Sequence, residues 1–108
     1  MKMKLYIAVL DEVPDHMVPV LVAHSVLNAH IKFQNIDQYV EWLEHSFRKC
    51  VLRVNVKEFE KIKQSCQIHH LGHENTVLNA EPSCIIPLPM VDEDRPNVLK
   101  FAKLWKPL

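Results

Sequence analysis

Cys66, His69, His70 and His73 form the pattern C-x-x-H-H-x-x-H, with one thiol and three imidazoles inside eight residues. Thiolate and neutral imidazole bind zinc, so a metal site is the first chemistry this spacing suggests. The spacing makes a poor cage. On a strand His69 and His70 point to opposite faces, so at most one of them could share a site with His73, and hydrogen-bonded or surface histidines with no metal are the expectation. The next residues are more promising, because His73-Glu74-Asn75-Thr76 gathers an imidazole, a carboxylate, an amide and a hydroxyl in sequence. Such a group could move a proton and hold a polar ligand. Glu74 is therefore a candidate catalytic residue, and His73, Asn75 and Thr76 are candidate ligand-binding residues. The competing reading is a wet turn, which collects the same side chains for its own backbone.

Two further positions carry chemistry by type. His24 lies in an otherwise apolar stretch, where an imidazole either satisfies a core partner or faces a pocket as a general base. Ser83 is a hydroxyl beside Cys84, but no G-x-S-x-G surrounds it and Gly72 is the only glycine in the chain, so a structural hydroxyl is the plainer reading. Trp42, flanked by Val40 and Leu43, belongs with the core. Trp105 sits in a basic tail with Lys100, Lys103 and Lys106, the one stretch that suits a phosphate contact; a solvated helix end with cations favoured by the helix dipole is the alternative.

These residues must be positioned by a small α/β domain. Residues 5–10 are a continuous apolar run, the mark of a strand covered on both faces. Pro14 and Asp15 break it, and a helix is predicted from near His16 or Met17 to Phe33. Met17, Val20, Leu21, His24, Leu27 and Ile31 lie on one side and Val18, Val22, Val26, Ala29 and Phe33 on the other. With no broad polar face, that helix needs two covers, the sheet and either the next helix or a second subunit, and a homodimer is expected. A second helix capped by Asp37 carries Ile36, Val40, Leu43 and Phe47 at helical spacing. A β-branched strand over residues 49–56 completes a right-handed parallel crossover. Residues 57–66 read as an amphipathic helix and 67–71 as a short strand. Gly72 reads as a positive-φ turn, 83–88 as a last strand, and the segment after Pro96 as a helix carrying Val98, Leu99, Ala102 and Leu104.

Composition narrows the function classes. The chain has 108 residues, 48% of them hydrophobic, enough for one core, so residues 1–108 are expected to form a single domain. Thirteen basic and thirteen acidic residues cancel, which removes the long-range attraction of a general nucleic-acid binder. Three cysteines in apolar surroundings suit reduced, buried thiols rather than a disulfide framework. The apolar run near the start is too short for a signal-peptide core or a membrane span, so a cytoplasmic protein without membrane contact is expected, and nothing calls for a cofactor.

The order of strand, helix with Ala23-His24, helix ending near Trp42, strand, charged helix, turn and strand from Ser83 resembles peptidyl-tRNA hydrolase II, the archaeal and eukaryotic type, over nearly the whole chain. Ala23-His24-Ser25-Val26-Leu27 is similar to that family's first-helix signature and Ser83-Cys84-Ile85 to the start of its last strand. The resemblance implies a mixed sheet of about four strands packed with helices. It also implies a ligand site between His24, residues 70–76 and Ser83, with tRNA or a nucleotide as ligand. The family's helix-entry Lys and its Gln fall at Met17 and Leu21 here. Its Asp and first Thr fall at Leu71 and Asn75, or at His70 and Glu74 in the alternative register, so the resemblance adds His70 to His24, Glu74 and Ser83 as a candidate catalytic residue. Two expectations follow. One is a diverged peptidyl-tRNA hydrolase II-like protein binding a nucleotide or acyl ligand. The other is a non-enzymatic dimeric binding or interaction protein on the same scaffold.

Overall fold

A computed structural model describes residues 2–73 and 81–107. The apolar run becomes β1 (Met3–Leu10), in which every side chain except Lys4 is buried. It is central because both of its edges are used. Along one edge β1 pairs in parallel with β2 (Arg48–Val54) through seven residue pairs, from Lys4 opposite Arg48 to Leu10 opposite Val54. Between these strands run α1 (Val18–Phe33), entered through a 3₁₀ turn at Asp15–Met17, and α2 (Asp37–His45). Then come α3 (Val56–Ser65), β3 (His69–His73), β4 (Pro82–Pro87), β5 (Met90–Val91), α4 (Asn97–Phe101) and β6 (Lys103–Leu104). The sheet order is β3-β4-β1-β2-β6, and β5 also pairs with β1.

The expectation of about four strands is corrected to six among the described residues. β4 and β5 share the second edge of β1 in sequence, Cys84 and Ile85 against Val9 and Ala8, then Met90 and Val91 against Lys4 and Met3. Pro87 and Pro89 have no N–H to give, so the ladder breaks between them and the Leu88 N–H turns instead to the Ile68 carbonyl at 3.0 Å. β6 replaces the last turns of the expected C-terminal helix. That helix is only five residues long, Pro96 occupies its N-cap position, Asp92 and Asp94 sit in a separate 3₁₀ turn, and Leu104 lies exposed on the sheet edge.

α1 departs from expectation in its faces. Its buried side is Val18, Leu21, Ser25, Ala29 and Phe33, packed on the sheet. Leu21 belongs with Val18 rather than with Val20. Tyr39 of α2 meets the end of the helix at His30 and Phe33, while the side opposite the sheet is exposed at Val20 (54%), Leu27 (67%) and Ile31 (65%). α2 buries Tyr39 and Trp42, and Asp37 is its first helical residue, with Ile36 at the cap position. Phe47 is exposed, not a member of the α2 core face, and it rather than Gly72 carries the positive φ, at 61°. β2 ends at Val54 because Asn55 starts α3. The Asn55 side chain accepts the Glu58 N–H at 2.8 Å while the Glu58 carboxylate accepts the Asn55 N–H at 3.0 Å, a reciprocal cap that contributes about 1 kcal/mol. α3 then buries Phe59 and Ile62 and leaves its charges in solvent, as its spacing implies.

Gly72 is in β3, not in a turn. A Cβ built on it would stand 2.0 Å from Ser25 Oγ, 2.9 Å from Ser25 Cβ and 3.3 Å from Cys84 Cβ. The chain needs glycine there because α1 crosses the strand at that point, with Gly72 opposite Cys84 in the ladder. Among the described residues no helix is long and apolar enough to cross a membrane.

Candidate functional site

The contact between α1 and the β3–β4 hairpin organises the candidate residues. His24 precedes Ser25 and is exposed on α1; His73 follows Gly72, after a bulge, and is exposed at the end of β3. The Ser25–Gly72 contact thus brings the sequence neighbours His24 and His73 to one helix–strand crossing, both exposed. Glu74, Asn75 and Thr76 lie outside the described residues.

His70, two residues before Gly72, shares its strand face and points under α1. Its Nε2 is buried without a hydrogen-bond partner. Burial is the main reason its pKa is lowered, with the Lys32 ammonium, His73 and His69 adding to the effect. His69 points the other way, its ring bonded to the Cys66 carbonyl at 2.7 Å, while Lys32 donates to the His69 carbonyl at 2.5 Å and blunts this end of the sheet edge. Cys66 and the histidines therefore do not converge, and no group of three His, Cys, Asp or Glu among the described residues is placed to hold a metal ion.

A proton on His70 would be buried against Lys32, which fixes the sign of a pH effect. At neutral pH the ring is uncharged both folded and unfolded, and it contributes no pH dependence. As pH falls below about 6.5 the unfolded chain takes up the proton first, so stability drops until the folded-state pKa is passed. Urea unfolding of wild type and His70→Leu between pH 7.5 and 5 is expected to show a shallower acid loss in the variant. Equal slopes would show that His70 is protonated as easily folded as unfolded.

Ser83 faces away from α1. Cys84 is the residue turned toward Ser25, so its neighbour occupies the other sheet face, fully buried, and its hydroxyl donates a long 3.5 Å bond to the Gly72 carbonyl. The thiols are equally quiet. Burial pushes Cys84 up to about 12, only partly opposed by the Ser25 hydroxyl, and burial raises Cys50 and Cys66 as well. Since thiolate is the reactive form, all three cysteines stand protonated at neutral pH. Only Cys84 is fully buried, whereas Cys50 and Cys66 are half-buried.

The concave surfaces lie elsewhere, and the sequence did not announce them. One opening of about 360 Å³ is bounded by Gln38, Cys66, Ile68, Leu88, Met90 and Asp94. Its neighbour, about 410 Å³, runs between α3 and α4 past Lys61, Gln64, Asn97 and Phe101, and the two share Ser65 and Pro96. Neither has His24, His70, His73 or Ser83 in its wall. A polar cluster on the α3–α4 side of the sheet has no sequence motif either. Tyr6 lies between Arg95, which donates to its hydroxyl at 3.4 Å, and Asp92, which accepts from it at 3.5 Å, and Lys4 stands 3.9 Å from Asp92. Burial nevertheless raises the Tyr6 pKa, against the hydrogen bond and charge of Arg95, so the phenol stays protonated and ties the C-terminal segment to β1.

The basic tail is spread out rather than focused. Lys100 lies over the Phe101 ring at 5.5 Å, Lys103 is in β6, and the Lys106 carbonyl accepts from Arg53 at 2.7 Å. Arg53 also pairs with Asp15 at 2.9 Å and lies 5.5 Å from the half-buried Trp105 ring, so it joins the entry to α1 to the end of the chain. Neither the protein-family models nor the curated proteins compared with this chain match it.

Proposed function

We propose that this protein is a diverged peptidyl-tRNA hydrolase II-like member that works as a non-enzymatic, homodimeric binding protein. The observation that carries the reading is the state of Ser83, whose hydroxyl is sealed in the core and spent on the Gly72 carbonyl. Ester hydrolysis needs an activated water or hydroxyl and a group to hold the developing oxyanion. Leu21, at the position of the family's Gln, is fully buried in the interface between α1 and the sheet, and Met17, at the position of its Lys, brings no cation. β1 and β2 are parallel and β4 runs antiparallel to β1, so the sheet is mixed, as a member of that family would have it. Any tRNA or nucleotide ligand would then be held rather than cleaved, in the cytoplasm.

The test is hydrolysis of a labelled N-acyl-aminoacyl-tRNA by the purified protein beside His24→Ala. The expected result is no release above background for either. Turnover by wild type that His24→Ala abolishes would overturn the non-enzymatic reading and restore the family reaction.

A further inference from the structure

We infer that the crevice over the carboxyl ends of β1 and β2 binds a small zwitterion of the amino-acid class, its ammonium held by Asp11 and its carboxylate by Lys103. The place follows from topology and does not rest on the family resemblance. β1 and β2 are adjacent and parallel, but the chain leaves them for opposite faces of the sheet. From β1 it turns to α1, on the face shared by Val9 and Cys84, since Ser25 and Cys84 both close on Gly72. From β2 it turns to α3, whose Phe59 borders a hollow together with Leu10 and so lies on the other face. Neither connection covers the gap between the two strand ends, the position at which open α/β sheets hold their ligands. An opening of about 370 Å³ lies there, with Asp11, Val54, Asn55 and Phe101 in its wall. It is on the β2 side of β1, whereas the β3–β4 hairpin is on the other, so this crevice is separate from the site that the resemblance implies.

The polar groups of the wall divide into spent and free. Arg53 pairs with Asp15 at 2.9 Å and donates to the Lys106 carbonyl at 2.7 Å, while Asn55 and Glu58 close the α3 cap on each other's backbone. The side chains of Asp11 and Lys103 have no hydrogen bond or ion pair among the described residues. They stand on either side of β2. The Asp11 N–H donates to the Val54 carbonyl at 2.8 Å, and Lys103 pairs with Arg53 across the β2–β6 ladder. An anion alone would meet the carboxylates of Asp11 and Glu58, and a cation alone the Lys103 and Arg53 charges. A molecule with one charge of each sign is favoured at both ends. The volume suits an amino acid or a dipeptide, and the exposed Phe101 ring offers its side chain an apolar face.

Amide-resolved NMR titration of the full chain with L-phenylalanine at about pH 6.5 tests this, beside N-acetyl-L-phenylalanine, which lacks the ammonium, and L-phenylalaninamide, which lacks the carboxylate. Phenylalanine is expected to shift the amides of Asp11, Asn55, Phe101 and Lys103 saturably, with a Kd of about 1 mM, and each analogue to bind about two- to fivefold more weakly, as the loss of one exposed ion pair implies. Asp11→Asn should bind phenylalanine only as well as wild type binds the N-acetyl compound, and Lys103→Gln only as well as wild type binds the amide. Both side chains are exposed, and the unchanged remainder of the spectrum shows that the fold is kept. No saturable shift at these four amides up to about 20 mM would overturn the inference. Analogues that bind as tightly as phenylalanine, or variants indifferent to their lost charge, would overturn the zwitterion as the class of ligand. Shifts centred on His24 and His73 instead would overturn the location and favour the site that the resemblance implies.

Discussion

Gly72→Ala is expected to lower the unfolding free energy by about 2–3 kcal/mol, a large share of what a domain of this size has to lose. The new methyl would sit 2.0 Å from Ser25 Oγ and 2.9 Å from Ser25 Cβ. The hydroxyl can turn to another rotamer, but the Ser25 Cβ is fixed to the helix backbone and cannot. Relief therefore requires α1 to lift from β3, which loosens Leu21 and Ala29 on the same buried face. A double-mutant cycle with Ser25→Ala makes the cause visible. Deleting the oxygen removes the shorter clash and leaves the 2.9 Å one, so it should rescue part of the loss and show a coupling of about 1 kcal/mol. Urea unfolding of the four proteins checks this. Additive losses, or a cost for Gly72→Ala below about 0.5 kcal/mol, would mean that the helix and strand are not wedged together at this point.

That contact also shows what a sequence can and cannot disclose. From the sequence, the lone Gly72 reads as a positive φ in a turn, the commonest reason for a glycine. The actual reason is a neighbour 47 positions earlier in the chain, Ser25, which no local pattern around Gly72 reveals. Where burial has a period, the sequence was legible. Residues 5–10 gave a doubly covered strand, Phe59 and Ile62 gave the buried side of α3, and the crossover between β1 and β2 is parallel. Where pairing takes two residues, as in β5 and β6, there is no period to detect. The faces of α1 are not legible in the sequence because a helix apolar nearly all round has no polar side to mark its orientation.

The candidate site was legible as residue types and not as an arrangement. His24 and His73 each neighbour a residue of one helix–strand crossing, yet His70 turns inward beneath α1 and Ser83 lies on the other face of the sheet. Alternation along a strand separates Ser83 from Cys84 by the thickness of the sheet, a distance that sequence adjacency conceals. The openings along α3 draw on α2, the α3–β3 junction, the β4–β5 link and α4, so no single motif could have pointed to them.

Trp42→Ala is expected to cost about 3–5 kcal/mol, enough to populate the unfolded chain at ordinary temperature. Trp42 is among the largest fully buried side chains, and its loss would open a cavity between α2 and the start of β2. Two further terms add to that cavity. Its Nε1 donates to the Arg48 carbonyl at 2.7 Å, and its ring lies 5.3 Å from Tyr39 and 5.4 Å from Phe47 in tilted contacts. Phe47 accepts a φ of 61°, a conformation that costs a bulky residue about 1–3 kcal/mol, while its ring covers Trp42 and lies beneath the Lys49 ammonium. Without the indole that conformation keeps its backbone bond to the residue 42 carbonyl at 2.7 Å but loses the ring it packs against. Trp42→Phe separates the terms, since it keeps an aromatic ring but removes the donor to Arg48, and should cost about 1–3 kcal/mol. Thermal unfolding followed by circular dichroism measures all three proteins without depending on tryptophan fluorescence. If Trp42→Phe proved as damaging as Trp42→Ala, the hydrogen bond to β2 would outweigh packing as the reason for the indole; if both were mild, the α2–β2 corner would owe its stability to Tyr39 and the buried face of α1 instead.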